Sequence, residues 1–343
     1  MHISTMPHRG LTRLAWAAAA LALFVIVFGA FVRLSNAGLS CPDWPTCYGK
    51  LSWPTQAHEV ASANAAFPDR PVDATKAWRE QAHRMLVGVL SVLTFALAAW
   101  AFLRRRELGR LAWVPYAAAV VIVFQALLGM WTVTLKLLPL VVSSHLLGGL
   151  ALFGLLAWTA LRLSVAPAGN VENAALRGLV VIGLCLLVAQ IALGGWTSSN
   201  YAALACGTDF PTCLGQWAPP TDFHNAFVLW RGVGVDYEGG VLDAPARTAI
   251  QLAHRAGAAV VFAFGLVLAL LAARRRETRA LGLAFGAVLL LQVALGIGNV
   301  VLGLPLPVAT AHNGVAALLL LALLALLARL QPSVPAGLAK SVG

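Results

Sequence analysis

Charge is what this sequence has least of. Only 11% of its 343 residues are Asp, Glu, Lys or Arg, against 60% hydrophobic residues. A soluble domain carries roughly 25% charged residues, so a water-soluble globule is excluded. Carboxylates are the scarcer sign, 13 against 24 basic side chains, which leaves a formal net charge of +11. Such an excess can signal nucleic acid, but its distribution argues against that partner. Arg104, Arg105, Arg106 and Arg110 form one cluster; Arg274, Arg275, Arg276 and Arg279 form another; Arg9 and Arg13 stand near the N-terminus, and Arg162 and Arg177 flank a central polar link.

What is abundant is apolar sequence. Runs of about 20 residues, long enough to span a bilayer, lie at 12–33, 80–103, 111–134, 140–162, 176–197, 249–273, 279–302 and 308–330. With the N-terminus inside, all the basic clusters fall on one side, as the positive-inside rule requires. The long stretch 198–248 holds Arg231 and Arg247 against Asp209, Asp222, Asp236, Glu238 and Asp243, and belongs outside. Both termini are then cytoplasmic, in a bacterial plasma membrane protein of eight spans. The first run follows a basic segment as a signal peptide would, yet it is long for one and has a counterpart in the fifth run.

The chain reads as two related halves. Cys41-Pro-Asp-Trp-Pro-Thr-Cys47 resembles Cys206-Gly-Thr-Asp-Phe-Pro-Thr-Cys213, and Glu80-Gln-Ala-His83-Arg84 resembles Gln251-Leu-Ala-His254-Arg255. Gln125 to Gly129 resembles Gln292 to Gly296, and Ser144-His145 resembles Ala311-His312, all in one order at offsets of 165 to 171 residues. Four spans separate the copies, so both halves share one orientation, a parallel repeat. The expected fold is all-α: two tandem-repeated four-helix bundles, residues 1–165 and 174–343, joined by a cytoplasmic link at 166–173.

Four of the eight histidines follow this pattern. His83, His145, His254 and His312 each fall a few residues inside helices 2, 4, 6 and 8, which start outside, so their imidazoles are expected at one depth. His2, His8, His58 and His224 lie in the tail or outer loops and read as surface residues. An ionisable group within a span is costly and usually functional. One such histidine could merely bond a neighbouring helix; four at equivalent positions point to a cofactor. A four-helix bundle builds such sites from facing helices, and two histidines suit the axial positions of a haem iron. Zinc normally takes four ligands, or three plus water, and suits a lone pair less well.

Arg84 and Arg255 follow ligand histidines near the interface, as partners for haem propionates or as snorkelling side chains. Glu80 shares a helix face with His83, while its counterpart Gln251 carries no charge. A carboxylate beside one haem could move protons or stabilise positive charge; alternatively Glu80 complements the helix N-terminus. The loop cysteines, Cys41 with Cys47 and Cys206 with Cys213, read as local disulfides in an oxidising compartment or as redox-active thiols. Cys185, alone within a span, reads as packing.

The segment from Arg33 to Cys47, the Glu80-x-x-His83 motif and the paired His145 and His312 resemble the haem A synthase family over nearly the whole chain. The resemblance implies oxidation of the C8 methyl group of haem O to a formyl group, through hydroxylation, a second oxidation and loss of water, giving haem A for cytochrome oxidase. It implies that His83 and His145 flank the substrate haem, that His254 and His312 ligate a resident haem b, and that Glu80 is the essential glutamate. A haem O synthase and an electron donor are implied partners. The residues alone leave two other readings: a bis-histidine di-haem electron carrier and a haem carrier. For transfer across the membrane, ligands at both depths would be expected, and a carrier needs no carboxylate in only one half.

Overall fold

The computed structural model describes residues 9–168 and 174–331. Among them, eight helices are long and apolar enough to cross a membrane. These are α1 (Arg9–Leu34), α2 (Ala74–Leu103), α3 (Trp113–Thr134), α4 (Pro139–Ser164), α5 (Ala174–Ser199), α6 (Ala244–Arg274), α7 (Arg279–Val301) and α8 (Leu306–Arg329). The only β pairing among the described residues is two isolated bridges, Cys47 with Lys50 and Cys213 with Gln216. The protein is a multi-pass, all-helical membrane protein. His2, His8 and residues 169–173 of the central link lie outside the described residues.

Two helices begin earlier than their apolar runs. Asp73 caps α2 by accepting from the Thr75 and Lys76 N–H groups, and Asp243 caps α6 by accepting from the Ala246 N–H. The polar first turns hidden from a hydropathy reading are held by these caps, which satisfy N–H groups that a helix end otherwise leaves open. His83 and His254 therefore lie between two and three turns into their helices at about 3.6 residues per turn, deeper than the few residues expected. His145 and His312 lie less than two turns in, because tight turns start α4 and α8 abruptly. In these turns Leu137 N–H bonds to Thr132 C=O, and Leu304 N–H to Asn299 C=O, at 2.8 and 2.7 Å.

Helix α1 packs on α2, α4 and α8; α3 bridges α2 and α4; α5 packs on α4, α6 and α8; α7 bridges α6 and α8. Helices α4 and α8 also touch each other and carry the most buried spans. Without a hydrophobic drive between helices in lipid, close packing of small residues does much of the work. Ala15, Ala18, Ala19 and Ala22 of α1 are fully covered, against a central layer that includes Phe153, Leu156, Leu320 and Leu323. Cys185 is exposed on α5, contrary to the packing role read from the sequence. An apolar run gives a helix its environment, but not which face meets its neighbours.

Candidate functional site

The fold brings the four histidines together as two pairs. His145 lies close enough to His83 to act on its charge, and His312 close enough to act on His254. His58 and His224 are exposed in the segments between α1 and α2 and between α5 and α6. Phe28 stacks on the His83 ring with centroids 6.3 Å apart. In the other pair, the Gln190 amide lies 3.0 Å from His254 Nδ1, and the Gln292 amide 3.3 Å from His312 Nε2. The Nδ1 atoms of His83, His145 and His312 are buried and meet no hydrogen-bond partner among the described residues. Buried polar atoms are nearly always paired. These three rings therefore keep bonding capacity that no described protein atom uses at Nδ1. No group of three or more His, Cys, Asp or Glu side chains poised for one metal ion occurs among the described residues, so each pair offers two nitrogen donors.

Above each pair sits a disulfide loop. The structure joins Cys41 to Cys47 and Cys206 to Cys213, with Cα atoms 4.7 and 4.5 Å apart. The loops share their backbone. Each has a cis X–Pro bond, Trp44–Pro45 or Phe210–Pro211. Each has positive φ at paired positions, Tyr48 with Gly49 and Leu214 with Gly215. In the first loop the Asp43 carboxylate accepts from Thr46 Oγ1 and from the N–H groups of Tyr48 (2.6 Å) and Gly49 (2.8 Å). Partial burial pushes this carboxyl up, but those three bonds together outweigh it and hold it below the usual carboxylate range. Lys50 pairs with Glu59, tying the loop to the short helix Ala57–Ala66. Glu59 is held down to about 2, by the Lys50 bond first and by the Thr55 and Gln56 N–H groups after it.

Helices α2 and α6 grip these loops with residues four apart. Glu80 is buried; its Oε2 accepts from Cys41 N–H at 2.8 Å and Ser40 Oγ at 3.0 Å, and its Oε1 from Arg84 at 2.5 Å. Arg84 also donates to the carbonyls of Asp43 and Thr46, at 2.8 and 2.6 Å. In the other half Gln251 accepts from Cys206 N–H at 2.9 Å and donates to Ala203 C=O at 2.8 Å. Arg255 donates to the carbonyls of Thr212 and Asp209, at 2.9 and 2.8 Å. The sequence reading made Arg84 and Arg255 propionate partners or snorkelling side chains; most of their contacts here go to the loops. Glu80 is likewise no exposed helix-end charge, since it lies in the second turn of α2 with its oxygens enclosed.

Sequence reasoning missed three residues. Ser40 faces Glu80 where the second loop has Ala205, a difference visible once the loops are aligned. Gln190 was not singled out because its counterpart by the repeat offset is Val25. Arg79 lies over Phe31 and Trp78, at 5.1 and 5.9 Å from the ring centroids, and its buried Nε meets no partner among the described residues. Nothing but its place beside Glu80 marked it.

The COX15-CtaA model, described as cytochrome oxidase assembly protein, matches residues 12–324. The chain belongs to the COX15-CtaA family. Among curated relatives, the heme A synthase of Shewanella oneidensis is 47% identical over 305 residues, covering 88% of this chain and 91% of that one. The heme A synthase of Caulobacter vibrioides is 30% identical, covering 88% and 90%. That of Methylobacterium radiotolerans is 30% identical, covering 86% and 83%. The family match runs from α1 into α8, so both histidine pairs and both loops of this COX15-CtaA member lie within it.

Proposed function

We propose that this protein is a haem A synthase, an oxidoreductase that converts the C8 methyl group of substrate haem O to the formyl group of haem A. The likeness to heme A synthases supports the reaction. The asymmetry between the halves supports the division of labour. Beside His83 and His145 stands a carboxylate with Ser40 and Arg84; beside His254 and His312 stands an amide, with Ala205 in place of the serine. The two halves are then tandem-repeated four-helix bundles: 1–165 holds the substrate, 174–343 holds a resident haem b, and 166–173 links them on the cytoplasmic side. The basic clusters at the ends of α2 and α6 favour cytoplasmic termini and outward disulfide loops.

The donor set fits haem. Each half supplies a pair of buried imidazoles within electrostatic reach of each other, and three ring nitrogens keep unused bonding capacity among the described residues. His254 and His312 would hold haem b, with Gln190 and Gln292 orienting their rings; His83 and His145 would flank haem O. Haem iron supplies the redox chemistry when bound. The protein's part is orientation, charge and exclusion of water. Glu80, enclosed by Ser40, the Cys41 N–H and Arg84, can hold or release a proton at its carboxylate or balance positive charge near the methyl carbon. Gln251 can only hydrogen-bond. Arg255 Nε is buried, meets no partner among the described residues and is the donor left for a propionate; Arg84 keeps part of its guanidinium for the same use. A haem O synthase and an electron donor are the partners this chemistry requires.

The test is mass spectrometry of haems extracted from cells with and without the protein. Haem A only in its presence is the expected result. Haem O as the sole product in both, with haem still bound to the protein, would favour a di-haem electron carrier.

A further inference from the structure

Each of the four histidines rests on a glycine of the helix before it in the chain. A methyl group added to Gly29 of α1 would lie 2.8 Å from His83 Cε1; one on Gly194 of α5 would lie 3.1 Å from His254 Cε1. One on Gly296 of α7 would lie 3.1 Å from His312 Cε1, and one on Gly129 of α3 would lie 3.5 Å from His145 Cε1. Odd-numbered helices supply the glycine and even-numbered helices the imidazole, four times over. Carbon atoms in contact sit about 3.5–4.0 Å apart. At Gly29 a β-carbon would therefore collide with the ring, at Gly194 and Gly296 it would crowd the ring so that it must give by a few tenths of an ångström, and at Gly129 it would fit.

The collision is with the outer edge of a side chain, away from the backbone. An imidazole can turn away from a new methyl group, so the helices need not separate. What is lost is the ring's direction. For His83, His145 and His312 nothing else in the protein bonds Nδ1 among the described residues. A metal-ligating histidine is usually aimed by a hydrogen bond at its other ring nitrogen; Gln190 and Gln292 reach a ring nitrogen of His254 and His312, and the glycines add to this by shape.

We propose that Gly29, Gly194 and Gly296 are positioning residues: flat seats that set the angle at which His83, His254 and His312 face their ligand. This rests on the haem reading above. Gly129, with room for a methyl group, is a looser seat for His145. Other glycines give the control, since beyond its own stretch of helix no described atom lies within 4 Å of a β-carbon at Gly178 of α5.

The experiment compares purified full-length Gly194→Ala, Gly296→Ala, Gly178→Ala and His254→Ala with the unsubstituted protein. Haem per polypeptide, the reduced absorption spectrum and the unfolding temperature are measured for each. Gly194→Ala and Gly296→Ala should shift the spectrum and weaken haem retention roughly tenfold, the scale of a lost orienting contact. Their unfolding temperatures after haem extraction should not fall, because alanine favours helix over glycine. Gly178→Ala should match the parent. In the first half, titration with added haem O should show weaker binding for Gly29→Ala and near-parent binding for Gly129→Ala. Parent-like spectra and haem content in Gly194→Ala and Gly296→Ala, with haem lost in His254→Ala, would overturn the seats alone. Equal damage from Gly178→Ala, or haem-free proteins that melt earlier, would reduce them to helix packing. Full haem retention in His254→Ala would overturn the haem reading and the seats with it.

Discussion

At the scale of single residues, the decisive comparison is Glu80 with Gln251. Both accept a hydrogen bond from the first cysteine N–H of their loop, at 2.8 and 2.9 Å. The shared task is structural and needs no charge, so Glu80→Gln can keep it while removing only the carboxylate. If the charge takes part in catalysis, a defect of roughly a hundredfold or more is expected. The ratio of haem A to haem O in membranes reads this, and the haem b spectrum should stay normal. An unchanged ratio would leave Glu80 as a loop anchor. If His254 and His312 hold haem b as proposed, His254→Ala and His312→Ala should each remove it, since each would delete one axial bond. A retained low-spin reduced spectrum in both would refute the assignment.

At the scale of elements, the disulfide loops are the parts most exposed to solution conditions. Asp43 is a carboxyl held low, so its sign is the usual acid one. Its contribution is complete above the ordinary carboxylate value near 3.8 and is lost as pH falls through its lower value in the folded loop. Amide exchange at Tyr48 and Gly49 should quicken in that acid window, and Asp43→Asn should quicken it at neutral pH. Equal protection in the variant and the parent at pH 7 would show that the disulfide alone orders the loop. Peptide mapping without reduction should recover Cys41 linked to Cys47 and Cys206 linked to Cys213; a Cys41–Cys206 link would contradict the local pairing. The loops' likeness was legible from their matching Asp-x-Pro-Thr-Cys sequences. Their attachment to α2 and α6 was not, because residues some 40 positions apart meet only when the chain folds back.

At the scale of the molecule, the long segment between α5 and α6 reaches across to residues of α3, α4 and the turn between them. Tyr237 is buried among Leu39, Leu128, Leu137, Leu138 and Val141, and its N–H bonds to Lys136 C=O at 3.1 Å. Arg70 pairs with Asp236 and Glu238 on either side of it, at 3.0 and 3.2 Å. Exposed pairs contribute about 0–1 kcal/mol each, whereas removing a buried aromatic ring costs about 3–5 kcal/mol. Tyr237→Ala should therefore open the segment to proteolysis far more than Arg70→Ala. Adding salt should weaken the Arg70 contribution alone. Equal cleavage of the two variants would mean that the ring holds the segment no more than the ions do.

Hydropathy, the charge distribution and internal likeness sufficed for eight spans, the order of the elements, the four histidines and the Glu80–Gln251 difference. Each of these is local in the chain or recurs along it, so periodicity and alignment reach it. The true starts of α2 and α6 escaped because Asp73 and Asp243 cap polar turns that carry no hydropathy signal. Contacts between distant segments were decided by tertiary structure alone: the glycine beneath each imidazole, Arg84 turned to loop carbonyls, Ser40 on Glu80 and Tyr237 set into the other half. In a span, nearly every face is apolar, so composition leaves a helix's rotation undetermined. Side-chain fit against its neighbours selects the rotation, and with it what each histidine faces.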